Sequence, residues 1–372
     1  LQNTLLRMTV NLAEALTRQG AETRLVDFHA QDSLDAFAAD LFQGRVRALV
    51  VLNLHAAFYR AISDALNAQG VHFVYVGTDH PYHAHAQYAD LVARFHRLTI
   101  TLTGQDELAL ARRLFARPAV FRHLPQPSEV FTPRPESTRD IPGLLVGNNP
   151  VFTNGFGTPA AFRAAWPELY GAPFAAAVGA MVERYHAAPL TPLAELAAQV
   201  LGEGRTLDDH IRHCGVFDLY LRALLRERAV VALLDTPTRV CGAGWDHLFD
   251  GAPRRAVLLG SVENAQVQAM MARAQRVYSV VPSYYACSER VPEALSMGVA
   301  ALSHPSRFYQ QEFGESVTYF DRAEDLPALA ALPPESLPSA PWLAQGRRTV
   351  LARHSWDCRA RDLLLWLAQP EA

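Results

Sequence analysis

Segments of two hydrophobic periods alternate through most of this chain, and few folds accept that pattern. Leu5 to Gln19 places Leu5, Met8, Leu12, Ala15 and Leu16 on one helical face and stops at Gly20. Thr23–Phe28 then reads as a strand, Leu34–Phe42 as a helix and Ala48–Leu54 as a buried strand. Phe58–Gln69 reads as a helix ending at Gly70, and Val71–Val76 as the next strand. Tyr88–Phe95, Thr99–Thr103, Glu107–Phe115 and Val120–Leu124 continue the helix–strand cycle. Near-continuous apolar strands between amphipathic helices predict a parallel sheet covered on both faces. Residues 1–135 are therefore expected to form a Rossmann-like domain. Such a domain normally opens on a central strand, whereas this chain opens on a helix. Its first strand is expected to be missing, or to come from residues outside this sequence.

A connector rich in proline (Pro125, Pro127, Pro133, Pro135, Pro142) precedes a second α/β series. Its strands read as Gly143–Val146, Arg239–Cys241, Ala256–Leu259, Arg276–Val281 and Ala300–Ser303, with helices at Asn264–Ala274 and Glu289–Met297. Between the first two strands lies a helical stretch of about 159–234, broken at Pro173, Pro189, Pro192 and Gly202/Gly204. That exceeds any ordinary crossover, so it reads as an inserted helical subdomain with Trp166, Tyr170 and Phe174 in its core. The expected fold class is thus α/β, with two Rossmann-like domains facing a cleft. The second spans 136–350 and carries the insertion, and 351–372 forms a C-terminal helix packing back.

Composition narrows the chemistry. Lys and Arg together number 34 of 372 residues, and every one is arginine. A Schiff-base lysine, a P-loop lysine and a kinase strand lysine are therefore all excluded. Hydrophobic residues at 50% and charged residues at 19% describe a soluble globular chain, expected in the cytoplasm. A formal net charge of −3 argues against a nucleic-acid partner. No apolar run approaches the roughly 20 residues of a membrane helix. The start lacks both a signal-peptide pattern and an initiator Met. Cys214, Cys241, Cys287 and Cys358 lie far apart, which suits a reducing compartment.

The most informative stretch runs from Val280 to Ser303 and reads as strand, loop, helix, glycine, strand. Ser288 is a candidate N-cap and Pro292 sits in the first turn, so the helix N-terminus is expected to face a ligand anion. Arg290 would add a charge-assisted phosphate contact, and Glu293 would accept hydrogen bonds from a vicinal diol such as a ribose.

The run Glu289-Arg-Val-Pro-Glu-Ala-Leu-Ser-Met-Gly298 resembles the Arg-x-x-Glu-Ala-x-x-x-Gly signature of GT-B-fold glycosyltransferases. It is most similar to the bacterial group-1-like transferases of the spore-maturation (CgeB-like) type. Val146-Gly147, Gly242-Ala-Gly-Trp245, Tyr319–Asp321 and the run Arg353–Ala360 follow that family's order. The resemblance implies that Glu293 binds a nucleotide ribose and that Arg290 and Ser288 meet the diphosphate. Gly242, Gly244 and Trp245 would line the base pocket, and Gly147 and Asn148 would lie on the donor phosphates. Two departures stand out. Many retaining members carry a glutamate eight residues before the ribose Glu, where this chain has Tyr285. The loop Gly147–Gly157 also lacks the family's Arg/Lys pair, leaving its backbone N–H groups to hold an anion.

A second constellation, Gly77-Thr-Asp-His-Pro-Tyr-His-Ala-His85, follows a strand directly. Asp79 and His80 are the candidate catalytic bases, with His83 and His85 on the acceptor side. A metal ranks below sugar contact and below plain loop structure, because Pro81 prevents one shared helical face. His210, His213 and Cys214 read as packing residues, and Arg222, Arg226 and Arg228 as a solvated helix face. The resulting expectation is a metal-independent hexosyltransferase-like enzyme without a cofactor. It would move a sugar from a nucleotide-sugar to a hydroxyl of a glycan, lipid-linked sugar or protein. The alternatives are an inactive GT-B-like binding or scaffold protein and a sugar-nucleotide epimerase.

Overall fold

The computed structural model describes residues 2–369 apart from 54–55, 78, 203, 252–253, 334–335 and 337. The chain divides into two compact units, Leu1–Pro127 with His354–Ala372, and Ser128–Arg353.

The first unit contains α1 (Gln2–Arg18), α2 (Gln31–Phe42), β1 (Ala48–Leu52), α3 (Ala56–Ala68), β2 (His72–Val76), α4 (His85–Arg94), β3 (Leu98–Leu102), α5 (Gln105–Leu114) and β4 (Phe121–His123). All four strands are parallel and lie in the order β1-β2-β3-β4. Sequential order with right-handed crossovers sends α3, α4 and α5 to one face. Phe73 and Tyr75 of β2 point to that face, where Tyr59, Tyr88 and Phe95 pack on them. Val74 and Val76 point to the other face, which no crossover helix can reach. The N-terminal α1 covers it together with a helix from the far end of the chain, described below. Coverage on both sides is why β2 and β3 are buried at every position.

The second unit contains β5 (Gly143–Val146), α6 (Pro159–Tyr170), α7 (Ala172–Ala187), α8 (Leu193–Leu201), α9 (Leu207–Leu233), β6 (Thr238–Cys241), α10 (Asp246–Phe249), β7 (Val257–Gly260), α11 (Asn264–Met271), β8 (Arg276–Ser279), α12 (Arg290–Ser296), β9 (Ala300–Ser303), α13 (Arg307–Glu312), β10 (Val317–Tyr319), α14 (Leu326–Ala331) and α15 (Ala340–Thr349). Its six parallel strands lie in the order β10-β9-β8-β5-β6-β7. Winding runs outward from β5 to β7, then restarts on the other side of β5 with β8. The reversal makes the C-terminal ends of β5 and β8 the switch point where such sheets take ligands. The four helices α6–α9 form the insertion between β5 and β6, with Trp166 and Phe174 buried in it. The chain ends in α16 (Trp356–Ala368), whose Trp356, Ala360 and Leu363 join Met8, Leu12 and Leu16 of α1 over the first sheet.

One expected element is absent. Thr23–Phe28 makes no ladder but runs as an unpaired segment. Leu25 is exposed, while Val26 packs on the core and Phe28 packs its ring on Phe58 at 5.5 Å. The Asp27 carboxylate accepts from the His29 N–H and ends the segment in a turn. Leu54, expected at the end of β1, lies outside the described residues.

Leu363 is 1% exposed, so Leu363→Ala should open a cavity beneath the first sheet. The expected cost is about 3 kcal/mol, read from the midpoint of a denaturant titration.

Candidate functional site

The loops after β5 and β6 are laced together by backbone. Gly147 donates to the Cys241 carbonyl at 2.9 Å, and Asn149 to that of Ala243 at 2.9 Å. The Asn148 Oδ1 accepts from the Ala243 N–H at 3.0 Å. Two glycines permit this approach. Gly242 sits at φ 141, and a Cβ there would lie 2.1 Å from the Gly147 carbonyl oxygen. Gly244 sits at φ 85, where a Cβ would lie 2.6 Å from Phe152. Trp245 is fully buried and donates its indole N–H to the Gly147 oxygen at 2.8 Å. The Gly-x-Gly-Trp stretch therefore fixes the shape of the β5 loop.

Beyond β8, Pro282–Glu289 leads into α12. The Arg290 Nη1 meets the Glu293 Oε2 at 3.1 Å, and its Nη2 lies 3.5 Å from Glu289. Glu293 is 2% exposed and also accepts from Gln268 Nε2 at 3.4 Å. Gln268 donates in turn to Glu129 at 3.3 Å. Burial works against the Arg290 charge, but Glu289 and Glu293 outweigh it and hold the guanidinium above its ordinary pKa. Ser288 does not cap the helix in the usual way. Its Oγ accepts from the Arg290 N–H at 3.3 Å, and its own N–H donates to the Tyr309 hydroxyl at 2.6 Å.

The expectation of a solvated arginine face on α9 is wrong for two of its three residues. Arg226 donates to the Asn148 carbonyl at 3.0 Å and the Val280 carbonyl at 3.2 Å, bridging the loops after β5 and β8. Burial, with Arg222 as a like charge, pushes its pKa down to about 10. Arg222 pairs with Asp218 at 3.0 Å. Only Arg228 is exposed. The cause is the position of α9, which is buried around much of its circumference from His213 to Leu233. A spacing of four residues through Asp218, Arg222 and Arg226 was the available sequence signal. Tyr285 donates its hydroxyl to Asp218 at 3.0 Å, as does Tyr284 at 2.7 Å.

In the first unit, Asp79 is exposed and His80 is 6% exposed, after β2. The His80 Nδ1 accepts from the Tyr82 N–H at 3.2 Å, and its carbonyl accepts from the His83 N–H at 2.8 Å. The His80 and His83 rings lie 5.9 Å apart, while His85 stacks on Phe115 at 5.1 Å. Gly77 is required here, since a Cβ would lie 2.4 Å from the Tyr88 hydroxyl. Thr78 lies outside the described residues. Among the described residues no cluster of His, Cys, Asp or Glu is placed to hold a metal ion. No described helix is long and apolar enough to cross a membrane.

Sequence reasoning passed over Glu107. Its buried carboxylate accepts from the Gly104 N–H at 3.1 Å and the Thr103 hydroxyl at 3.2 Å, at the end of β3.

Two parallel sheets flanked by helices, the second doubly wound with its loops gathered at a switch point, make up the fold of the GT-B glycosyltransferases. Residues 219–365 match the family model described as "Glycosyl transferase-like". No curated protein matches the sequence. Among solved structures, the chain is similar to TarM, with a TM-score of 0.51 and 8% identity over 87% of this chain. It spans 55% of TarM's length. A glycosyltransferase from Rickettsia africae ESF-5 aligns with a TM-score of 0.50 and 10% identity, covering 97% of this chain and 93% of that one. The DNA modifying enzyme beta-glucosyltransferase, whose substrate is uridine diphosphoglucose, aligns with the same score, identity and coverage.

Burial raises the Glu107 pKa from 4.5 to about 7, outweighing its two hydrogen bonds. A raised carboxyl pKa means the folded state holds its proton longer than the unfolded state. Stability is therefore lost as pH rises from about 4.5 to about 7, and the loss is complete above that. Glu107→Gln should remove this slope, so that its unfolding free energy gains on the parent's across that window, by about 3 kcal/mol in full, read from denaturant titrations at a series of pH values.

Proposed function

We propose that the chain transfers a hexosyl group from a nucleoside-diphosphate sugar, UDP-glucose being the first to test, to an acceptor hydroxyl. The observation that carries this reading is the buried Arg290–Glu293 pair at the switch point of the second sheet. Glu293 would accept the ribose hydroxyls. Arg290 would turn a guanidinium nitrogen to the diphosphate, and the half-buried Arg226 would add a second cation beside the Gly147–Asn148 backbone. Charge placed where the leaving diphosphate develops its own is the largest contribution such a site can make. The reaction then runs without a metal. Asp79 or His80 would take the proton of the acceptor, which is a glycan, a lipid-linked sugar or a protein. The resemblance of the Arg290–Gly298 run supports reading the chain as one of the spore-maturation type of these transferases.

One observation favours a binding protein instead. Tyr285 stands where many retaining transferases carry a glutamate, and its hydroxyl is already bonded to Asp218. Thermal-shift titration with UDP-, GDP- and dTDP-sugars, followed by slow hydrolysis, separates the two readings. A transferase is stabilised by one nucleotide class and hydrolyses its sugar. Glu293→Ala should abolish that hydrolysis, and Arg290→Ala should weaken nucleotide binding about tenfold, the worth of one charge-assisted bond. Stabilisation without hydrolysis indicates the binding protein, and unchanged affinity in Arg290→Ala refutes both roles given to this pair.

A further inference from the structure

Pro282–Glu289 forms no helix or strand, yet it sets where α12 begins and so where Arg290 and Glu293 stand. A loop of this kind has to be held by side chains, and here almost all of them are hydroxyls. On one side, Ser306 donates to the Ala286 carbonyl at 3.0 Å and Tyr309 takes the Ser288 N–H at 2.6 Å. On the other side, the insertion holds the loop. Tyr185 of α7 accepts the Ser283 N–H at 3.1 Å, while Tyr284 and Tyr285 reach one carboxylate on α9, that of Asp218.

Asp218 is 0% exposed. A carboxylate with no access to water is costly unless its oxygens are filled. Here one oxygen takes Tyr284, and the other takes Tyr285 and the guanidinium of Arg222. Nothing in the core of a helical subdomain requires an ion at this place, and an apolar residue packed on Phe217 would stabilise α9 more simply. From this position a single carboxylate fixes two neighbouring loop tyrosines at once. Their rings are held beside each other, with centroids 5.3 Å apart.

We infer that Asp218 is a positioning residue: through the hydroxyls of Tyr284 and Tyr285 it straps Pro282–Glu289 to the helical insertion and so sets the geometry of the Arg290–Glu293 pair. The insertion thereby serves the donor side of the site as a clamp. This inference rests on the donor-site reading of Arg290 and Glu293 given above.

The test is a double-mutant cycle between Asp218→Asn and the pair Tyr284→Phe/Tyr285→Phe, with two readouts. The first is amide hydrogen exchange in residues 283–290 of the full chain without nucleotide. The second is affinity for the UDP-sugar that stabilises the parent. Each arm should speed exchange and weaken affinity about tenfold, which corresponds to one hydrogen bond to a charged group. Combining the arms should add little, because they break the same contact. Purely additive losses would show that Asp218 supports the helix core only, and would overturn the inference. So would faster exchange with unchanged affinity. Should Asp218→Asn fail to fold, the tyrosine pair alone decides, since both rings lie partly at the surface and affinity equal to the parent's overturns the strap. A parent that binds no nucleotide overturns the donor-site reading and with it this role, while exchange still reports whether the strap exists.

Discussion

The second sheet reverses its winding between β5 and β8, and the polar architecture of that unit follows from the reversal. Two neighbouring parallel strands whose connections leave in opposite directions cannot both be capped by their own crossover helices. The backbone ends there are exposed to one another and to whatever enters. This chain resolves the problem with glycine and arginine. Glycine lets the loops after β5 and β6 touch backbone to backbone at Gly147 and Gly242. Arginine then satisfies the carbonyls that face the gap, with Arg226 bridging Asn148 and Val280. The Arg290–Glu293 pair stands beside these loops, bonded to each other and to Glu289 and Gln268.

Much of this was legible from the sequence, and the parts that were not have separate causes. Periodicity located β2, β3 and β9 almost to the residue, because strands covered on both faces read as short runs rich in apolar and β-branched residues. The insertion announced itself by length alone. Thr23–Phe28 has the local pattern of a strand, with Val26 and Phe28 half-buried on either side of exposed Asp27, but it pairs with no neighbour, and pairing is not written in a local period. Glu107 was hidden for another reason. Its cap hydrogen bonds are local and ordinary, whereas its displaced pKa depends on burial by residues far away in sequence. The tie between Asp218 and the β8 loop is likewise non-local, spanning 66 residues to Tyr284.

The helical insertion looks at first like an ornament on a doubly wound sheet. Its last helix argues otherwise. α9 is at once the crossover that returns the chain to β6 and the scaffold for Asp218, Arg222 and Arg226. A crossover helix must lie against its sheet. Lengthening it at its N-terminal end carries it past the strand ends, where a stripe of residues four apart faces the loops. The remaining helices α6–α8 then cover a projecting helix that would otherwise expose Phe217 and Tyr220, both buried in this arrangement. The insertion is thus the packing consequence of a helix extended to reach the site.

A chain without lysine makes the choice of cation physically informative. Burial lowers the pKa of Arg226 to about 10, which leaves it charged near neutrality. The same displacement applied to a lysine, from about 10.4, would bring it to about 8, with part of its charge lost. An ammonium would also give its donors to the two carbonyls as a compact point, whereas the guanidinium plane keeps further N–H groups in a fixed fork. Arginine is therefore the residue that can bridge two loops from a half-buried position and still present positive charge between them. Whatever set the codon usage of this chain, the result at Asn148 and Val280 is a cation that keeps its charge near neutrality despite burial.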